Sequence, residues 1–155
     1  MNHLASIAGV VALLFVATNS SAQDLSSPRA TLRTLEAAYT SKNMDTVVAA
    51  HDFHVEAEVM LERLAVQKKW HSPPDAELIA KTAEVLELSF RKEIKARGFP
   101  NFNELKCAVA EENPVQEGIV MLLEKCRYPD GQDSTQKLYF AFRDEKWRIF
   151  NVPTK

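Results

Sequence analysis

The chain has 155 residues, of which 46% are apolar and 26% are charged, so it can bury the core of one globular domain. Lysine and arginine total 19 against 21 aspartate and glutamate, and neither sign forms a long block. This excludes the basic patch of a nucleic-acid surface and an acidic tail, and we expect one domain with no nucleic-acid partner.

The first segment has the features of an export signal. The apolar run over residues 4–17 is shorter than the roughly 20 residues that a membrane-spanning helix requires. Ser20 and Ala22 then supply small side chains at the spacing that signal peptidase accepts. No lysine or arginine precedes the run, so an uncleaved anchor remains the alternative. We expect residues 1–22 to be a cleaved signal peptide and residues 23–155 to form one domain that is periplasmic or secreted and has no membrane contact.

Three short helical segments are predicted next. The first helix begins at the Ser-Pro pair of residues 27–28, where serine caps the helix and proline occupies its first turn, and it ends at the Ser-Lys-Asn break of residues 41–43. A second helix covers residues 45–51. A third runs from Asp52 to near Trp70, because apolar residues recur there at helical spacing.

The fourth helix is the longest. Ser72 and the acidic Asp75 three places later predict its beginning, and Gly98 predicts its end. Its buried side is expected to carry Ile79, Ala83, Leu86, Phe90 and Ile94. The opposite side pairs acids with bases four residues later, which is typical of a solvated surface.

Residues 104–152 are predicted to form four β-strands joined by three tight turns. The turn signals include Tyr-Pro-Asp-Gly at residues 128–131 and Asp-Glu-Lys at residues 144–146. The strand over residues 118–123 is apolar on both faces, so we expect it to be central, with helices on one face and more protein or a pocket on the other. The alternating apolar residues of the next strand are Leu138, Phe140 and Phe142.

Cys107 and Cys126 lie on the first two predicted strands, and an oxidising compartment favours a disulfide between them. If they face each other directly, the centre of the hairpin falls between Gln116 and Glu117. A redox pair is the alternative, but catalytic dithiols usually have two residues between the cysteines.

Several segments together resemble the nuclear transport factor 2-like superfamily. They are Ser-Pro-Arg-Ala at residues 27–30, Ala-Ala-Tyr at residues 37–39, Lys-Asn-Met-Asp at residues 42–45 and the closing strand with its turn at residues 144–149. The resemblance implies an α+β, cone-like fold in which N-terminal helices pack on a curved four-stranded antiparallel sheet, often with a cavity. The chain departs from the pattern over residues 52–69, which are predicted to be helical where members usually have a short strand.

The superfamily includes ketosteroid-isomerase-like enzymes, ligand binders, protein-binding adaptors and immunity proteins that neutralise toxins, so the fold does not decide the function. The family's catalytic aspartate and tyrosine have no matching positions in this chain. Glu124, with Tyr128 or Tyr139, is the nearest arrangement that resembles an acid-base site. We therefore favour a non-enzymatic domain, with no cofactor.

One motif has the spacing of metal ligands. His51, His54 and Glu58 fall three and four residues apart on one side of the third helix, as zinc ligands do. The alternative is that these are boundary histidines beside the buried Phe53. No further histidine or cysteine constellation accompanies them, so we expect no metal.

A binding surface is indicated on the third helix. Val55, Val59 and Val66 lie on the side away from its core-facing residues, where water alone would favour polar side chains. Trp70 and His71 extend this surface, and Trp is enriched where proteins bind one another. The covering is either the chain itself or a protein partner, including a second copy.

The leading hypothesis is an exported protein-binding domain, with the immunity-type neutralisation of a toxin as its most specific form. The alternative is a small apolar-ligand binder or isomerase-like enzyme with a cone cavity lined by Met121, Phe140 and Phe142.

Overall fold

The structure is a computed structural model that describes residues 23–152. The predicted signal peptide lies outside the described residues. Four helices precede four strands, which confirms the predicted α+β class with N-terminal helices and a four-stranded antiparallel sheet. The elements are α1 (Pro28–Thr40), α2 (Met44–Ala49), α3 (Phe53–Lys68), α4 (Ala76–Arg97), β1 (Lys106–Gln116), β2 (Ile119–Arg127), β3 (Asp133–Arg143) and β4 (Lys146–Phe150). None of the helices in this described part is long and apolar enough to cross a membrane.

Polar side chains begin each helix. Ser27 accepts a hydrogen bond from the Ala30 amide, as its position before a proline predicts. The cap of α4 is Asp75 and not Ser72, because two prolines separate Ser72 from the first helical turn and Asp75 accepts from the Leu78 amide at 2.8 Å. Gly98, with a φ of 84°, ends α4 as predicted.

The strands form a meander in the order β1-β2-β3-β4. Cys107 faces Cys126 directly, and the two sulfurs form the predicted disulfide. The turn lies at residues 117–118, one position beyond the predicted centre. Two register shifts on β1, between Val109 and Glu111 and between Pro114 and Gln116, add residues to one strand only, and simple counting from the cysteines cannot include them.

The core lies between the helices and one face of the sheet. Leu122 and Phe140 are fully buried on that face, and they cluster with Ile149 of β4 and with Leu32 and Leu35 of α1. Burial decreases along β3, since Phe142 shares this face but is 49% exposed and packs on Trp147 with ring centroids 5.2 Å apart.

The junction between α2 and α3 is hydrogen-bonded to the last strand, β4. The amide of Asp52 donates to the Ile149 carbonyl at 2.7 Å, and the amide of Ile149 donates to the Ala50 carbonyl at 2.9 Å. His51 and Ile149 form an isolated parallel bridge. The backbone of residues 50–52 is therefore held at the edge of the sheet, which fixes where the Asp52 side chain points into the fold.

Candidate functional site

Helices α3 and α4 form a hairpin that packs side by side. At its tip, Lys69 takes a left-handed conformation with a φ of 53°, and the Trp70 amide donates to the Ala65 carbonyl at 2.9 Å. This ending is typical of a helix C-terminus and reverses the chain toward Asp75, the cap of α4. The tip consequently presents Trp70, which is 42% exposed.

The outer side of α4 is apolar. None of the 22 residues of α4, all of which the structure describes, is buried, and its predicted inward stripe is only half-buried. On the opposite side Leu78, Val85 and Leu88 are 39%, 60% and 67% exposed. They lie seven and three residues apart, so they share one side of the helix. We call these three residues the α4 outer stripe.

The sequence contains this stripe, although its pattern was interpreted as a solvated side. The acid-base pairs Glu77 with Lys81 and Glu87 with Arg91 form as predicted, at 2.6 and 2.8 Å. Their presence suggested a purely solvated side. A second apolar repeat at helical spacing was the signal that would have identified the outer stripe.

The predicted binding surface on α3 is only partly open. Val66 is 80% exposed, whereas Val55 and Val59 are half-buried. Val66, Trp70 and His71 do come together, because they line one shallow cavity of about 520 Å³ at the hairpin tip. Five of the eight large apolar residues that are exposed within residues 23–152 lie on this hairpin, namely Val66, Trp70, Leu78, Val85 and Leu88.

The residues predicted to line a cone cavity do not line one together. Met121 is paired with Tyr139, and Val120 is paired with Phe140, so Met121 and Phe140 project from opposite faces of the sheet. Phe140 is fully buried in the core and Phe142 is about half-exposed. The prediction was wrong because it grouped apolar residues of two strands before their register was known.

The three weak metal candidates occupy different environments. The Nδ1 atom of His51 donates to the Val47 carbonyl at 2.8 Å, and its ring stacks on Phe53. Burial lowers the pKa of His51, which favours the neutral ring. Glu58 is exposed. Across the described residues, the group of side chains close enough to share a metal is Cys107, Glu124 and Cys126, whose two sulfurs are already joined in the disulfide.

A polar cavity of about 450 Å³ lies where the α2–α3 junction, α4 and the β3–β4 turn meet. We call it the Asp52 cavity. Asp52 is 5% exposed, and its Oδ1 atom caps α3 by accepting from the Val55 amide at 3.0 Å. Its other charged and imidazole lining residues are His51, His54, Glu84, Glu87, Arg143, Asp144, Lys146 and Arg148.

A pair of carboxyl groups lies on the inner face of the sheet. Glu124 is 2% exposed and accepts a hydrogen bond from the Gln136 amide. Partial burial raises the pKa of Glu36 on α1, and the negative charge of Glu124 raises this pKa further. The two carboxyl groups lie at the edge of the core, with Glu124 beside the disulfide sulfur of Cys126.

We expect Glu36→Gln to stabilise the protein at pH 7. The raised pKa means that the folded state binds a proton more strongly than the unfolded chain, whose ordinary value is 4.5. The contribution of Glu36 to stability is therefore fully present below that value and is lost as pH rises through the folded pKa, whereas the variant lacks this loss. Urea unfolding at pH 4 and pH 7 measures the difference, which should grow with pH.

Glu58→Gln is the control for this prediction, since it changes the net charge equally at an exposed position of α3. Equal behaviour of the two variants at both pH values would contradict the expected role of the carboxyl pair.

No protein-family model matches this chain, and no curated protein matches it significantly. A solved structure from Campylobacter jejuni, provisionally named an NTF2-like transpeptidase, is similar over 81% of this chain and 99% of its own, with 15% sequence identity and a TM-score of 0.39. A likeness at this level identifies neither a reaction nor a partner for this chain.

Proposed function

We propose that this chain is an exported, non-catalytic domain of the nuclear transport factor 2-like type that binds another protein through the α3–α4 hairpin. The observation that carries the proposal is the α4 outer stripe, which leaves three large apolar side chains exposed on one side of a helix. Contiguous exposed apolar surface on a folded protein is typical of an interaction site. The disulfide supports the exported location, because such bonds persist in oxidising compartments.

Charge around the stripe favours a different protein over a second copy. Lys81, Lys92 and Lys95 lie four or seven residues from Val85 or Leu88, so they flank the stripe on the same side of α4. Glu84 also flanks it, and Lys81 is paired with Glu77 at 2.6 Å, so the excess positive charge comes from Lys92 and Lys95. Antiparallel pairing of two α4 helices about the midpoint of Val85 and Leu88 would place Lys81 against Lys92 of the other copy. That contact is repulsive. The partner that fits is a protein with an apolar ridge bordered by carboxylates.

This surface supports the immunity-type role as the most specific form of the proposal. A toxin acting outside the cytoplasm would be held by apolar contacts with α4, and its acidic border would meet the lysines. For the competing hypothesis of an apolar ligand in a cone cavity, the register gives no support, because Met121 and Phe140 project from opposite faces of the sheet.

We expect Leu88→Glu to weaken partner binding at least tenfold, because it places a carboxylate at the centre of an apolar contact. The protein encoded beside this chain's gene is the first partner to test, using purified proteins and titration calorimetry. Ala80→Glu is the matched control, since Ala80 is exposed on a different side of the same helix. Partner affinity should be unchanged in Ala80→Glu.

Light scattering of the wild-type protein adds a second measurement. A monomer at micromolar concentration is the expected result. If the wild-type protein is instead a dimer and Leu88→Glu dissociates it, the surface binds a second copy of this chain and not a different protein. Partner binding that is equal in wild type and Leu88→Glu would overturn the proposed surface.

A further inference from the structure

The Asp52 cavity contains a buried acceptor with no donor. The Oδ2 atom of Asp52 has no hydrogen-bond partner among the residues that the structure describes. The nearest cation is Nη1 of Arg148 at 3.9 Å, which is beyond hydrogen-bonding distance. A buried carboxylate oxygen without a donor is unfavourable, so such atoms usually meet a donor that is not part of the chain. Because Asp52 lines the cavity, its carboxylate is the group that a ligand's N–H or O–H donor would contact.

The cations beside Asp52 have hydrogen-bond donors that are not used. Nη1 of Arg148 donates to the Arg143 carbonyl at 3.4 Å and lies 4.0 Å from Asp144. The guanidinium of Arg143 lies 3.9 Å from both Asp52 and Asp144. Lys146 lines the same cavity. These groups can receive an anion, and arginine binds carboxylates especially well because its donors form a planar fork.

The charges of the cavity are balanced, which limits the ligand's net charge. Glu87 is already paired with Arg91 at 2.8 Å. The remaining acids that line the cavity are Asp52, Glu84 and Asp144, and the bases are Arg143, Lys146 and Arg148. Three charges of each sign leave no net charge in the cavity. It therefore attracts neither a polyanion, such as a phosphate ester, nor a polycation, such as a polyamine. A ligand with one positive and one negative group fits this balance.

Apart from Gln23, the rest of the lining is apolar. Leu25, Val48, Phe53 and Ala83 contribute side chains to the same cavity. His51 adds an aromatic surface, with its ring stacked on Phe53. A ligand can therefore place a hydrocarbon side chain against these residues while its charged groups contact Asp52 and the arginines.

We infer that the Asp52 cavity binds a small apolar amino acid as its zwitterion, with the ammonium group at Asp52 Oδ2 and the carboxylate at Arg148 and Lys146. Binding requires no chemical step. The cavity adjoins α4 at Ala83, Glu84 and Glu87, and none of the three residues of the outer stripe lines it. The amino-acid site is thus separate from the proposed protein-binding surface.

L-leucine, 3-methylbutylamine and 4-methylpentanoate form a matched set of probes, since the second lacks the carboxylate and the third lacks the ammonium group. We expect a saturable shift of the amide resonances of residues 51–54 with leucine, and at least tenfold weaker binding of each half-ligand. No saturable shift with leucine up to about 10 mM would overturn the inference. So would half-ligands that bind as tightly as leucine.

Asp52→Asn is the decisive variant. Asparagine still caps α3 through its side-chain oxygen, so the fold is retained, but the second acceptor becomes a donor that repels the ammonium group. Leucine binding should fall at least tenfold. Asp75→Asn is the control, because Asp75 caps α4 in the same way but is exposed and lies outside the Asp52 cavity. Unchanged leucine affinity in Asp52→Asn would overturn the inference, whatever the outcome for the α4 outer stripe.

Discussion

Phe140→Ala is expected to lower the free energy of unfolding by about 3 to 5 kcal/mol, the range observed when a buried phenylalanine is truncated. The Phe140 side chain is fully buried at the centre of β3, where it packs with Leu122 and Ile149 against the helices. Removing the ring leaves a void that the surrounding strands cannot fill. Because small domains have about 5 to 15 kcal/mol of stability, this loss is a large fraction of the total.

Phe142→Ala is the matched control. Phe142 lies two residues further along the same strand and on the same face, but it is 49% exposed and contacts mainly Trp147. Its truncation should cost about 1 kcal/mol. Urea unfolding followed by tryptophan fluorescence measures both variants. Similarly small losses of unfolding free energy in Phe140→Ala and Phe142→Ala would contradict a packed core. They would show that β3 borders an open cavity, as the hypothesis of a ligand in a cone cavity requires.

Removal of the disulfide is expected to have the next largest effect. Cys107 and Cys126 are 19 residues apart in the sequence, and closing a loop of this length lowers the entropy of the unfolded chain enough to stabilise the fold by about 3 kcal/mol. The double variant Cys107→Ala and Cys126→Ala should lose about that amount in denaturant unfolding. Because the bond joins β1 to β2, hydrogen exchange should increase first at the β1 edge.

Reduced wild-type protein provides the control for the double variant. Cys126 is buried, so its substitution also removes packing, whereas reduction breaks the crosslink and keeps both side chains. Equal losses in the two experiments would assign the effect to the crosslink. Two reactive thiols in native protein purified from the exported fraction would contradict the disulfide itself.

The proposed partner surface and the Asp52 cavity assign different tasks to the two sides of α4. Its outer side offers apolar residues bordered by lysines, and its inner side closes a cavity that also reaches the last hairpin. Residues 50–52 connect this cavity to β4 through backbone hydrogen bonds. Leu88→Glu and Asp52→Asn change one residue in each site, and measuring both ligands with both variants tests whether the two sites are independent.

Much of the fold follows from short-range features of the sequence. The Ser27 cap, the Gly98 helix end and the alternation around Phe140 depend on residues within a few positions of one another, so local rules predict them. The pairing of Cys107 with Cys126 was also predictable, because a hairpin brings its two strands together whatever the exact turn. Local rules of this kind predict the four helices, the four strands and the disulfide.

The position of the hairpin turn and the separation of Met121 from Phe140 required the tertiary structure. Each depends on contacts between elements that are distant in the sequence, and a register shift of one residue moves a side chain to the opposite face. Asp52 is the clearest case. Its sequence neighbours identify a helix cap, but only the docking of β4 with its Arg148 buries the carboxylate and leaves one oxygen without a donor.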